Sequence, residues 1–120
     1  MAKFNDGRIL VYGTMGGDGQ PQTQAIIFLR YKNFKQNLQD AINNPRWLLG
    51  KTWGNDVQNL RIENRFDKEL IDNLKRLGHQ IQLVDEFDEV MGHAGAILSH
   101  KKGLKEGAFD YRSDGLAIGS

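Results

Sequence analysis

The residues of this sequence best placed to do chemistry are glycines. Gly13-Thr14-Met15-Gly16-Gly17-Asp18-Gly19 stands between a run of strand formers, Arg8-Ile9-Leu10-Val11-Tyr12, and a helix whose first position is Pro21. Glycine adopts backbone conformations closed to other residues and lets a ligand come close to the main chain. At a helix N-terminus, unpaired N–H groups and the helix dipole favour an anion, or a carbonyl oxygen on which negative charge develops. Two chemistries fit that arrangement: a phosphate cradle, or an oxyanion hole made by the amides of Gly16 and Gly17. A P-loop needs Lys and then Ser or Thr after its last glycine; here Gln20-Pro21 follows, and the G-x-G-x-x-G spacing fails as well. The bland alternative is a tight turn with no ligand, and the pattern by itself favours it.

Asp18, Arg46, His93 and Arg112 are further candidates for lining or supporting a cleft, the last three because they sit in stretches that resemble a known family's motifs. For the two arginines a structural ion pair with a buried carboxylate outweighs a catalytic role. For His93, beside Gly92 and before an apolar run, a satisfied core histidine is at least as good a reading as a cleft residue. His79 and His100 read as surface residues at strand ends. The histidines are too far apart in sequence to suggest a metal site. The acidic run Asp85, Glu86, Asp88, Glu89 lacks the glycine and spacing of a calcium loop and reads as a solvated loop. Asp110 and Asp114 bracket Arg112 and Ser113 and suit a turn, since short polar side chains bond their own backbone; nothing supports a triad on Ser113. Trp47 and Trp53 read as core.

Composition narrows the classes. At 120 residues and 39% hydrophobic, the chain suits one small globular domain, residues 1–120. The net charge is +1, with both signs interspersed, so the basic footprint of a nucleic-acid binder is missing. The absence of cysteine removes thiol catalysis and a disulfide framework. No apolar run is long enough to span a bilayer, and no leader-like stretch opens the sequence, which favours a cytoplasmic setting over a membrane one. No cofactor is expected.

The elements that must position the loop follow from periodicity. Phe4-Asn5-Asp6-Gly7-Arg8 predicts a hairpin turn, and 8–12 a strand. The helix after Pro21 is apolar nearly all round through Leu29, which predicts burial. A second helix is expected from Asn33, with Gln36 at capping-box spacing and Phe34, Leu38, Ala41 and Ile42 on one face, ending at Asn43-Asn44-Pro45. Residues 50–55 read as a loop, and Leu60 and Ile62 as part of a half-buried strand. The clearest helix is 67–77, with Asp67 as cap, Phe66 and Ile71 as staple, and Gly78 at the C-terminal left-handed position. Strands are expected around His79, Ile81 and Leu83 and over 94–99, a turn at 101–103, and a turn and short strand over 110–120. The sum is an α+β domain with mostly antiparallel strands, although the helix over 67–77 between two strands also admits a βαβ unit.

The glycine segment, extended to Gly13-Thr14-Met15-Gly16-Gly17-Asp18-Gly19-Gln20-Pro21-Gln22-Thr23-Gln24, resembles the glycine motif of the γ-glutamyltransferase family, small-subunit side. Four further stretches agree in order: Asn43-Asn44-Pro45-Arg46-Trp47, Leu60-Arg61-Ile62-Glu63-Asn64-Arg65-Phe66, Met91-Gly92-His93-Ala94-Gly95-Ala96-Ile97, and Asp110-Tyr111-Arg112-Ser113-Asp114-Gly115, where Tyr111 replaces the family's proline. The resemblance runs from about residue 6 to 119. It implies part of an N-terminal-nucleophile hydrolase, an αββα-type sandwich, whose precursor cuts itself and whose new N-terminal threonine attacks a γ-glutamyl amide. It also implies that Gly16 and Gly17 supply the oxyanion hole and that the nucleophile is not among these residues. The partners implied are the rest of the precursor (large subunit and N-terminal part of the small subunit) and a small γ-glutamyl substrate such as glutathione. The 120 residues alone are then expected to be inactive. A cephalosporin-acylase-like amidase is the alternative within the family, and a non-catalytic assembly or binding module the alternative outside it. Strand edges left open at the start of such a piece invite a homodimer.

Overall fold

The computed structural model describes residues 1–52 and 56–119. In chain order its elements are β1 (Ala2–Lys3), β2 (Ile9–Thr14), α1 (Gln20–Lys32), α2 (Leu38–Asn43), β3 (Trp47–Leu49), β4 (Leu60–Glu63), α3 (Lys68–Arg76), β5 (Ile81–Val84), β6 (Ala94–Ser99) and β7 (Lys105–Phe109). Short 3-10 turns at Gly17–Gly19 and Glu89–Met91 precede α1 and β6. The strands form two sheets, β1-β2-β6-β7 and β3-β4-β5. The first is antiparallel throughout; in the second β3 and β4 are antiparallel, while β4 and β5 run parallel.

Period-2 alternation gives the larger sheet one covered and one open face. Leu10 of β2, Ala96 and Leu98 of β6 and Ala108 of β7 point toward α1 and α2, and pack with Ile27, Tyr31, Leu38, Ala41 and Ile42. The neighbours Val11 and Ile97 point the other way and stay exposed. On that open side the Phe109 ring lies against Gly95, its cross-strand partner, where an added Cβ would stand 3.3 Å from the ring.

The helix over 67–77 forms as the sequence predicts, over Lys68–Arg76, with the Asp67 carboxylate accepting from the Glu69 N–H at 2.9 Å. Gly78 takes the left-handed turn at φ +93°. Because β4 and β5 are parallel, they cannot be joined by a hairpin, and α3 is the crossover between them. Ile71 packs on Leu60 and Ile62 beside Phe66, Leu74 and Ile81, forming a second, smaller core.

Several expectations need correction. The helix expected from Asn33 starts later. The Asn33 N–H still donates to the Leu29 carbonyl as the C-cap of α1, and Asn37 is the true N-cap, its side-chain oxygen accepting from the Asp40 N–H at 2.8 Å. Leu38, Ala41 and Ile42 are buried as expected, but Phe34 is 72% exposed. Helix α1 is not buried all round; lying on one face of one sheet, it buries a stripe of Thr23, Ile26, Ile27 and Tyr31 and leaves Leu29 exposed. Trp47 is not core either, since it lies on an outer strand and is partly exposed; Trp53 lies outside the described residues. Strand β7 has no propensity signal in Lys105-Glu106-Gly107 and forms because β6 offers it an edge. The strand expected within 110–120 is absent over 111–119, which is turn and coil. Among the described residues no helix is long and apolar enough to cross a membrane.

The two faces of β6 make a direct comparison. Leu98→Ala should lower the unfolding free energy in urea by about 2–5 kcal/mol. Ile97→Ala, one residue away on the open face, should change it by no more than about 1 kcal/mol.

Candidate functional site

The glycine loop leaves β2 at Thr14 and enters α1 at Gln20. Its backbone bonds are allotted one by one. The Met15 N–H donates to the His93 carbonyl at 2.9 Å, Asp18 to Thr52 at 2.8 Å and Gly19 to Gly16 at 3.0 Å, and Gln20 donates back to Gly17. Among the described residues, the amides of Gly16 and Gly17 have no such partner. Both residues sit at positive φ, +136° and +54°, a conformation that favours glycine. Gly16 is buried and Gly17 exposed, so the pair reaches from the interior to the surface. The N-terminus of α1, which carries no side-chain cap, follows at once and adds its positive end.

The loop is braced from behind by the turn before β6. An added Cβ on Gly92, which has φ +75°, would fall 2.2 Å from the Met15 carbonyl oxygen, and one on Gly16 would fall 3.2 Å from the Gly92 Cα. The two backbones touch: Gly92 has no room for a side chain, and Gly16 has little.

That turn is in turn fixed by a buried charge cluster. Arg46 is fully buried; its Nη1 donates to the carbonyls of Met91 at 3.1 Å and Gly92 at 3.2 Å, and its Nη2 pairs with Asp110 Oδ2. Asp110 Oδ2 also accepts the Ala94 N–H at 2.8 Å, while Oδ1 accepts from Arg112 Nη1 at 2.9 Å. Arg112 grips Glu63 with two bonds, Nε to Oε1 at 2.6 Å and Nη2 to Oε2 at 2.7 Å. Glu63 Oε2 takes the Arg46 backbone N–H and Arg65 Nη2, both at 3.0 Å. Two cations and two anions, Arg46, Arg112, Glu63 and Asp110, are thus almost wholly removed from water, with Arg65 as a half-buried fifth. Burial, reinforced by the Arg112 charge, pulls the Arg46 guanidinium down to about 9, and the same causes bring Arg30 to about 10. Both remain cations at neutral pH.

Of the residues singled out from sequence, Gly16, Gly17, Arg46 and His93 come together around the loop or behind it, and Arg112 acts one layer deeper. Neither arginine reaches the loop surface. His93 contributes its carbonyl to Met15, and its Nε2 is shut off from solvent with no partner among the described residues. The Asp18 side chain is exposed beside the loop. Asp110 does bind its own turn, accepting the Arg112 N–H at 3.1 Å, but its larger role is between the arginines. Glu63 was missed: next to Ile62 in a strand read as half-buried it looked like the solvent-facing alternate, whereas all four residues of β4 are buried. Thr52 was missed too; it is buried, its carbonyl holds Asp18 and its hydroxyl accepts from Arg61. Among the described residues no cluster of three potential metal ligands occurs.

The model of the Gamma-glutamyltranspeptidase family matches residues 1–120. The chain is 54% identical over 118 residues to the oxamate amidohydrolase proenzyme of Klebsiella pneumoniae, covering 98% of this chain and 22% of that protein. It is 44% identical over 110 residues to the glutathione hydrolase-like YwrD proenzyme of Bacillus subtilis, covering 92% of this chain and 21% of that one. The chain therefore spans about a fifth of the length of the curated relatives it matches. Its fold superimposes on the crystal structure of the transpeptidase enzyme CapD of Bacillus anthracis with a TM-score of 0.80, at 24% identity, over 98% of this chain and 67% of that one. The mixed α and β architecture with its antiparallel sheet is that of the N-terminal-nucleophile hydrolases.

Removing one charge from the buried cluster strands the others. Asp110→Asn should cost about 3–5 kcal/mol of stability by urea unfolding, whereas Asp114→Asn, exposed in the same turn, should stay within about 0.5 kcal/mol.

Proposed function

The chain belongs to the gamma-glutamyltranspeptidase family, and from that premise we propose that its glycine loop is the oxyanion-stabilising part of an amide-cleaving site completed by polypeptide outside these 120 residues. The supporting observation is the pair of adjacent amides, Gly16 and Gly17, left without partners among the described residues while their neighbours on both sides are bonded. When a hydroxyl nucleophile attacks an amide carbon, a bond forms to that carbon and an electron pair moves onto the carbonyl oxygen. Two fixed N–H donors at the helix N-terminus lower the energy of that charge more than that of the neutral ground state. Collapse then re-forms the C=O bond and expels the protonated amine, and water releases the acid and restores the nucleophile.

The nucleophile in this reading is the threonine that the family resemblance implies, carried by the remainder of the precursor. Surfaces suited to that remainder border the loop. Among the described residues β1 pairs with β2 at Ile9 and Leu10 alone, which leaves the β2 edge at Tyr12 and Thr14 for an extended segment running toward Gly16. The open face of the larger sheet, with Val11 and Ile97 exposed, offers an apolar surface to a second layer.

The substrate is a small amide bearing a carboxylate. The more similar of the two curated relatives is an oxamate amidohydrolase proenzyme, which makes oxamate the first compound to assay. γ-Glutamyl amides, suggested by the glutathione hydrolase-like relative, come second.

In the complete precursor carrying this chain, Gly17→Pro removes one N–H donor and should lower kcat about 10²–10³-fold. Gly17→Ala keeps the donor at a strain of roughly 1–2 kcal/mol and should retain most activity. The assays are ammonia release from oxamate and turnover of a chromogenic γ-glutamyl anilide, and isolated 1–120 should turn over neither. Full kcat in the proline variant, or turnover by the isolated chain, would overturn the assignment and leave the loop a structural turn.

A further inference from the structure

Each sheet has an outer strand whose exposed backbone is met by a glutamine side chain. On β3, the Glu63 N–H donates to the Arg46 carbonyl and the Gly50 N–H to that of Asn59, so Arg46, Leu48 and Gly50 face β4 while Trp47 and Leu49 face outward. Gln22 of α1 meets Leu49 with both ends of its amide: Nε2 donates to the Leu49 carbonyl at 2.9 Å, and Oε1 accepts the Leu49 N–H at 2.9 Å. Gln39 of α2 does the same to β7. Its Nε2 donates to the Phe109 carbonyl at 2.7 Å, and its Oε1 accepts the Phe109 N–H at 3.3 Å. A primary amide sets an N–H donor and a carbonyl acceptor side by side, which is what a residue of an incoming antiparallel strand would present.

The rest of the β7 edge is guarded by other means. The His100 N–H donates to the Leu104 carbonyl, which sets the alternation and turns Lys105, Gly107 and Phe109 outward. Lys105 puts a charge on the edge, while the tail passes over the open face of β7 at Gly107, where an added Cβ would stand 2.9 Å from the Ala117 Cβ. Charges and covering segments are recognised ways of blunting an edge strand.

We propose that Gln22 and Gln39 are edge plugs: each occupies the position that a strand of a second copy of this chain would otherwise take, and so keeps β3 and β7 from pairing between molecules. This does not depend on the catalytic reading.

Hydrogen exchange by NMR on dilute 1–120, with light scattering on concentrated samples, tests the proposal. In Gln22→Leu the Leu49 amide should exchange about tenfold faster, and in Gln39→Leu the Phe109 amide likewise, with Leu48 and Ala108 unchanged. The double variant should gain mass with concentration relative to wild type. Gln39→Glu keeps the acceptor and should restore protection at Phe109, and this variant carries the test if a leucine variant fails to fold. Unchanged exchange at both amides, loss of Phe109 protection in folded Gln39→Glu, or faster exchange with no gain in mass would each overturn the proposal.

Discussion

Four charges that have left water hold this structure in register. Arg46, Arg112, Glu63 and Asp110 come from four places: the loop after α2, the turn after β7, the end of β4, and the last position before that turn. Desolvating any of them alone would be prohibitive, so they fold together or not at all. The geometry meets that demand, since Arg112 grips Glu63 with two nitrogens and Asp110 divides its oxygens between the two arginines. The cluster joins the two sheets, whose apolar cores are separate.

Its relevance to chemistry is indirect but specific. Arg46 spends two bonds on the carbonyls of Met91 and Gly92. Gly92 rests against Met15, and the Met15 amide is tied to His93. The two glycine amides are therefore positioned by a chain of contacts running from an ion cluster through a turn to a loop. The burial of the cluster, which forbids small displacements of its members, makes the chain stiff.

Much of this was legible in the sequence where one interaction dominates. The cap at Asp67 with its staple, the left-handed Gly78 and the apolar run over 94–99 each state their structure locally. The start of α2 was not, because Asn33 and Asn37 are equally good caps on paper, and only packing of Leu38, Ala41 and Ile42 against the sheet selects the second. Strand β7 was hidden because its residues have no liking for strands and take their form from β6. In the candidate site, the glycines stood out by type and spacing, and both arginines by the family motifs they resemble. Glu63 did not: a carboxylate in an alternating strand reads as solvated, and its burial is set by arginines distant in sequence. Neither Gln22 nor Gln39 signalled a strand edge, since a helix-borne glutamine is the most ordinary of surface residues.

The spread of the buried cluster along the chain has a temporal consequence. Residues 16 and 17 owe their placement to side chains that follow the last strand of the sheet. A ribosome would release the glycine loop long before Asp110 and Arg112 emerge, and until then the Arg46 guanidinium that holds the turn at Met91 and Gly92 lacks its buried partner Asp110. Such wide separation between dependent parts also slows assembly, since the intervening chain must be ordered first. The loop therefore matures late: synthesis of nearly the whole segment is a condition for its shape, and an interrupted chain exposes glycines with no fixed direction.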